Sequence, residues 1–339
     1  MSLSPILQAR LVRYNELRPC TNAFIDARSP GSEQKENFTI IGPGVAENPH
    51  QHVHIREPHG FNIGGARQPP GCTNSLHSHK TAEVFMIHSG VWRFFWGEHG
   101  DAGDALLGPG DVISIPINVF RGFENVGEQA GFMFAVLGGD DPGHVHWAPD
   151  VIEKARDFGL VLLDNGTLVD TTLGEKIPDG NQPVKPSTRE EIAYIRTPSV
   201  DEMMRNVVSH VSLRANAASP LAALGVREAA VIGAGATADG FAPAPIAGPH
   251  GFTVRVLEFD KGAKTRMHAR SCVEVLLIQR GKLIWRNDTG DSVELNAGDT
   301  FTVPPGMVRQ IEAATVAEAF VVRSGDDPGP VHVLPARSA

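Results

Sequence analysis

Residues 71–90 read Gly71-Cys72-Thr73-Asn74-Ser75-Leu76-His77-Ser78-His79-Lys80-Thr81-Ala82-Glu83-Val84-Phe85-Met86-Ile87-His88-Ser89-Gly90. The run 84–87 is short, apolar and bounded by polar residues, the pattern of a strand. Residues 91–96 follow at once, as in a hairpin. His77 and His79 are two apart, so on a strand they project from the same face. Glu83 has the same parity and lies beyond the turn-like Lys80-Thr81-Ala82, so two imidazoles and one carboxylate can converge on one point. A donor set of this kind leaves coordination positions open and suits non-haem Fe(II); Mn, Ni or Zn accept it too.

The stretch has a second copy. Pro58-His59-Gly60-Phe61 recurs as Pro249-His250-Gly251-Phe252, an offset of 191. At that offset Ile41-Gly42-x-Gly44 matches Ile232-Gly233-x-Gly235, His77 matches His268, Glu83-Val84 matches Glu274-Val275, and Gly90 matches Gly281. The offset falls to 188 where Gly110-Asp111 and Pro116 match Gly298-Asp299 and Pro304. It falls to 186 where Gly139-Asp140-Asp141-Pro142-Gly143 matches Gly325-Asp326-Asp327-Pro328-Gly329. Each drop lies between strand-like runs, where turns tolerate deletion. One unit has been duplicated and its turns shortened in the second copy.

The domain reading follows: an N-terminal barrel over 1–147, a helix-containing connector over 148–205, and a C-terminal barrel over 206–339. In the connector, residues 149–156 read as a helix, Ser187 as the N-cap of another, and 200–207 as a third. Asn165-Gly166 reads as a hairpin turn between 160–163 and 167–169.

Composition agrees with an all-β chain. The 36 Gly and 25 Pro supply many tight turns. A net charge of −9 offers no basic footprint for nucleic acid. No run of eighteen apolar residues provides a membrane helix. The N-terminus shows no secretion signal. Cys20, Cys72 and Cys272 are an odd set without paired spacing, which points to a reducing cytoplasm and no disulfide framework.

Gly71, five residues, His77-x-His79, three residues, Glu83, six residues and Gly90, followed by Gly110, five residues and Pro116, closely resembles the two motifs of the cupin superfamily. The second copy repeats the spacing through Gly262, His268-x-Arg270, Glu274, Gly281, Gly298 and Pro304, so the chain is similar to a bicupin. The resemblance implies two jelly-roll β-barrels with motif residues facing inward, a small-molecule substrate and a homo-oligomer. It also implies a third histidine ligand from the second motif. That position is Arg121 here and Arg309 in the second copy, and Arg has no lone pair to donate. Arg270 replaces the second His as well, so the C-terminal copy reads as metal-free, with Arg270 and Arg309 around Glu274.

An intact barrel beside a degenerate one is similar to the layout of gentisate-type dioxygenases. It implies a metal-dependent oxygenase, an oxidoreductase acting on a small organic acid or hydroxylated aromatic. The ligands would be His77, His79 and Glu83, the metal Fe(II), and Arg121 would orient a substrate anion. The alternatives are a metal-free small-molecule-binding cupin, in which Glu83 simply pairs with Arg121, and a cupin isomerase or decarboxylase.

Other residues read as structural. His50, His52 and His54 alternate on one face and match Phe241, Pro243 and Pro245; the reading is a polar strand edge, with a replacement ligand as the other option. Trp92, Phe94 and Trp96 read as core. His59 and His250 read as turn residues, and His146 and His332 as neighbours of the Gly-Asp-Asp-Pro-Gly turns.

Overall fold

The structure is a computed structural model describing residues 2–215, 217, 219–221, 224–233, 243–327 and 329–335. Gly235, Phe241 and Pro328 of the repeat lie outside the described residues. The chain divides into two units, Arg18–His210 and Met1–Leu17 with Val211–Ala339.

Each unit is a jelly-roll barrel of one seven-stranded and one five-stranded sheet. In the N-terminal unit the larger sheet runs Val207–Val208, Val112–Ile115, Glu83–Ser89, Gly131–Gly138, Phe61–Gln68, Glu36–Ile41 and Val53–Ile55. The smaller runs His146–Trp147, Thr73–Ser78, Arg121–Asn125, Trp92–Trp96 and Gly103–Leu107. The C-terminal unit repeats this order with Glu274–Arg280 and Arg309–Ala313 in the places of Glu83–Ser89 and Arg121–Asn125.

The period-2 pattern sets which side chains fill each barrel. Trp92, Phe94 and Trp96 are fully buried and pack with Phe85, Phe123 and Met133, as core residues should. Gly90 ends the first hairpin strand with φ 85°, and a Cβ there would stand 2.6 Å from the Gly131 Cα, so the turn requires glycine. Gly281 repeats the demand.

The two strongest repeat signatures bond to each other. Asp140 Oδ1 accepts from the backbone N–H of His59 (3.1 Å) and Gly60 (2.7 Å). Asp326 Oδ1 does the same for His250 (2.7 Å) and Gly251 (2.9 Å). His59 and His250 therefore serve the turn through their backbones.

The connector contains the helix Pro149–Arg156 and the hairpin Leu160–Leu162 with Leu168–Asp170, as the sequence indicates. Helix Val200–Met204 starts on a Ser199 capping box. No helix begins at Ser187. Its region forms turns in which Thr188 and Glu191 bond reciprocally, while Ser187 Oγ lies 3.0 Å from His146 Nε2. No helix among the described residues is long and apolar enough to cross a membrane.

The barrel boundaries differ from the sequence reading at both arms. Leu11–Val12 precedes the first repeat but pairs with Phe301 and Thr300 of the second. Val207–Val208 precedes the second repeat but pairs with Ile113 and Val112 of the first. The anchors match: Arg13 and the Tyr14 amide bond Asp299, and the His210 amide bonds Asp111. Two-residue strands carry too little pattern to reveal their partners. Removing residues 2–14 should therefore cost about 1–3 kcal/mol of local stability through lost ladder bonds. Hydrogen exchange should show protection lost at Thr300–Val303 and kept at Val112–Ile115.

Candidate metal centre

His77 ends strand Thr73–Ser78, His79 follows it, and Glu83 opens strand Glu83–Ser89. The segment between them is pinned by the Asn118 N–H, which donates to the His79 carbonyl (3.1 Å). Asn118 has φ 58°, and its repeat partner is Gly306 at φ 76°. The result is a buried trio, His77, His79 and Glu83, whose potential ligand atoms all lie within 4.8 Å of one another.

The protonation states suit ligation. His77 Nδ1 lies 2.7 Å from the Ser75 carbonyl, an acceptor only, so Nδ1 carries the proton and Nε2 the lone pair. The His79 ring lies against the His144 backbone, and its Nε2 is 3.8 Å from Glu83 Oε2. Burial, then the charge of Arg121, holds both imidazoles well below their ordinary 6.5, so both are neutral. Burial raises the Glu83 carboxyl, with Arg121 opposing.

Arg121 lies deeper than the sequence reading placed it. Its Nη2 donates to Glu83 Oε2 and its Nη1 to the His77 carbonyl (2.7 Å). It is 1% exposed and does not line the cleft in front of the trio. The guanidinium is thus engaged by protein acceptors, with Nε alone lacking a partner among the described residues. Any anion-orienting role of Arg121 would therefore have to be shared with Glu83 and the His77 carbonyl.

That cleft has a cavity volume of about 80 Å³. Phe24, Phe38, Phe85, Phe123 and Trp147 give it an aromatic wall, and Asn37, Thr39 and Asn74 add polar points. Trp147 rests on His77, with ring centroids 5.2 Å apart. His50, His52 and His54 take no part. His52 and His54 meet edge-to-face with ring centroids 4.5 Å apart, His54 faces the Thr39 carbonyl, and no replacement ligand reaches the trio among the described residues.

The second barrel shows what the first has kept open. Strand registers place Arg255 where the first copy has Gly64 and Arg323 where it has Leu137. The 191 offset puts Glu228 at Asn37 and Arg270 at His79. All four counterparts in the first copy line the cleft. In the second copy the space is occupied by charged side chains. Glu274 accepts from Arg309 (2.6 Å) and Arg323 (2.8 Å) and lies 3.7 Å from Arg270. Burial alone would raise its carboxyl, but the three cations hold it well below the usual range. Arg270 and Arg309 surround Glu274 as expected. Arg323 and Arg255 were missed, although matched changes from Leu137 and Gly64 to arginine were visible in the repeat.

No family model matches the sequence, and no curated protein matches it. Solved structures do match in shape. The Lactobacillus farciminis oxalate decarboxylase formate complex is 12% identical, with a TM-score of 0.55 over 98% of this chain and 90% of that one. Bacillus subtilis oxalate decarboxylase at pH 4.6 is 13% identical, with a TM-score of 0.55 over 96% of this chain and 78% of that one. Hazelnut (Corylus avellana) vicilin is 13% identical, with a TM-score of 0.52 over 96% and 88%. At these identities the likeness is one of fold.

The electrostatics of the second barrel carry a prediction. Glu274→Gln leaves three buried guanidiniums without their shared anion. It should destabilise the C-terminal unit by about 3–5 kcal/mol, read by denaturant unfolding.

Proposed function

We propose that this chain, a bicupin by fold, binds one divalent metal through His77, His79 and Glu83. We propose further that it acts on a small organic acid or hydroxylated aromatic held in the N-terminal cleft. The carrying observation is the trio itself: two buried neutral imidazoles and a carboxylate whose potential ligand atoms all lie within 4.8 Å of one another, the carboxylate having a single guanidinium partner. Glu274, by contrast, has three cations around it and no room for another.

The donor set fits Fe(II), and also Mn, Ni or Zn. Such a metal would supply Lewis acidity and open positions for substrate and O₂. The chain's own part is positioning. The Ser75 carbonyl fixes the His77 tautomer, and Arg121 holds Glu83 by one oxygen. The aromatic wall excludes water and suits a flat ring better than a small dicarboxylate, which favours an oxygenase acting on a hydroxylated aromatic.

Two other readings have their own support. The Glu83–Arg121 pair favours a metal-free binding barrel, and the shared fold of the oxalate decarboxylases favours decarboxylation. The three free cysteines accord with the cytoplasmic setting we propose.

Elemental analysis of protein made without a chelating tag, after incubation with Fe(II), Mn(II) or Ni(II), should find about one metal per chain. His77→Ala should lose it. Arg121→His supplies the missing imidazole and should tighten retention at least tenfold. Metal found only in Arg121→His would establish the metal-free reading for the wild type. An oxygen electrode with catechols and gentisate-like acids then tests the reaction class: O₂ uptake is expected, and turnover unchanged under anaerobiosis would favour the decarboxylase.

A further inference from the structure

Glu47 is 6% exposed and lies in the segment between strands Glu36–Ile41 and Val53–Ile55. One carboxylate oxygen accepts from the Trp147 indole Nε1–H (2.6 Å) and the other from the Ile25 amide (2.8 Å). Its own N–H donates to the Ala23 carbonyl (2.8 Å), and its carbonyl accepts from Leu168 (3.1 Å). Three of the segments it joins contribute to the cleft wall, through Phe24, through Val45 and Ala46, and through Trp147. The arrangement belongs to the open copy only. The place of Trp147 is taken by Val333 in the second barrel, and that of Glu47 by Ala238, which lies outside the described residues.

We propose that Glu47 is a positioning residue for the N-terminal cleft: its carboxylate clamps the aromatic wall against His77, and a proton on that carboxylate releases one of its two partners. Both partners are N–H donors, so only the ionised group satisfies both. A protonated oxygen would face an N–H and lose that bond. Burial pushes the Glu47 carboxyl up to about 8, opposed by the bonds from Trp147 and Ile25. The charged neighbours are Asp26, which raises it, and Lys35, which lowers it. Asp26 and Lys35 are fully buried and paired with each other, and the imidazole beneath Trp147, His77, is already neutral. The clamp therefore closes as pH rises through about 8. This inference does not depend on a metal in the trio.

The test follows the Trp147 indole Nε1–H by NMR of protein labelled with ¹⁵N-tryptophan, assigned by the peak lost in Trp147→Phe. In the wild type this peak should move with a midpoint near 8, while those of Trp92, Trp96 and Trp285 stay put. Glu47→Gln keeps the shape but offers one acceptor, and it should abolish the movement. It should also flatten the pH dependence of stability. The folded chain keeps a proton that the unfolded chain releases above its ordinary 4.5, so wild-type stability should fall relative to Glu47→Gln as pH rises from 4.5 to about 8. A Trp147 peak that is flat from about pH 6 to about 9.5 overturns the proposal, as does one that moves equally in Glu47→Gln. Should Glu47→Gln not fold, the ¹³C-labelled Glu47 carboxyl must titrate with the indole, and a different midpoint overturns the proposal.

Discussion

Inside each barrel a carboxylate from the larger sheet meets a guanidinium from the smaller one, Glu83 with Arg121 and Glu274 with Arg309. Withdrawing both charges from water costs several kcal/mol per ion, so neither can be left without the other. In the N-terminal barrel the same guanidinium also reaches the His77 carbonyl, which ties the strand carrying the histidines to the base of Glu83. That cross-sheet tie runs beside the trio of His77, His79 and Glu83.

Around this shared pair the two copies have taken different routes. The first presents Gly64, Leu137, Asn37 and His79 to its interior and leaves a cleft. The second places Arg255, Arg323, Glu228 and Arg270 there, and their charges close on Glu274 and Glu228. A filled, mutually paired interior is a structural solution, because every charge in it has been given a partner within the fold. The open copy instead keeps three potential metal ligands beside a cleft, the physical mark of a site.

The fold uses short non-local strands to finish what the duplication began. Leu11–Val12 and Val207–Val208 each complete the larger sheet of the repeat that they do not immediately precede. Each is locked by an aspartate that follows a turn glycine, Asp299 after Gly298 and Asp111 after Gly110. Edge strands left open invite pairing with other chains, so these arms also protect the sheets.

The sequence by itself determined the repeat, the all-β class and the ligand spacing. Strand period, turn glycines and a His-x-His with a following Glu are properties of neighbouring residues, and backbone geometry converts them directly into facing side chains. Arg121 opposite Glu83 was legible as one of two options, since a buried carboxylate needs a partner and Arg occupied the matched position in both copies. Only the tertiary structure decided that Arg121 bonds both Glu83 and the His77 carbonyl. It alone brought Trp147 onto His77 and Glu47 onto Trp147, joined the arms to their barrels, and filled the second interior with Arg255 and Arg323. Those contacts join residues far apart in the chain, and no local periodicity encodes which distant side chains will share one buried space.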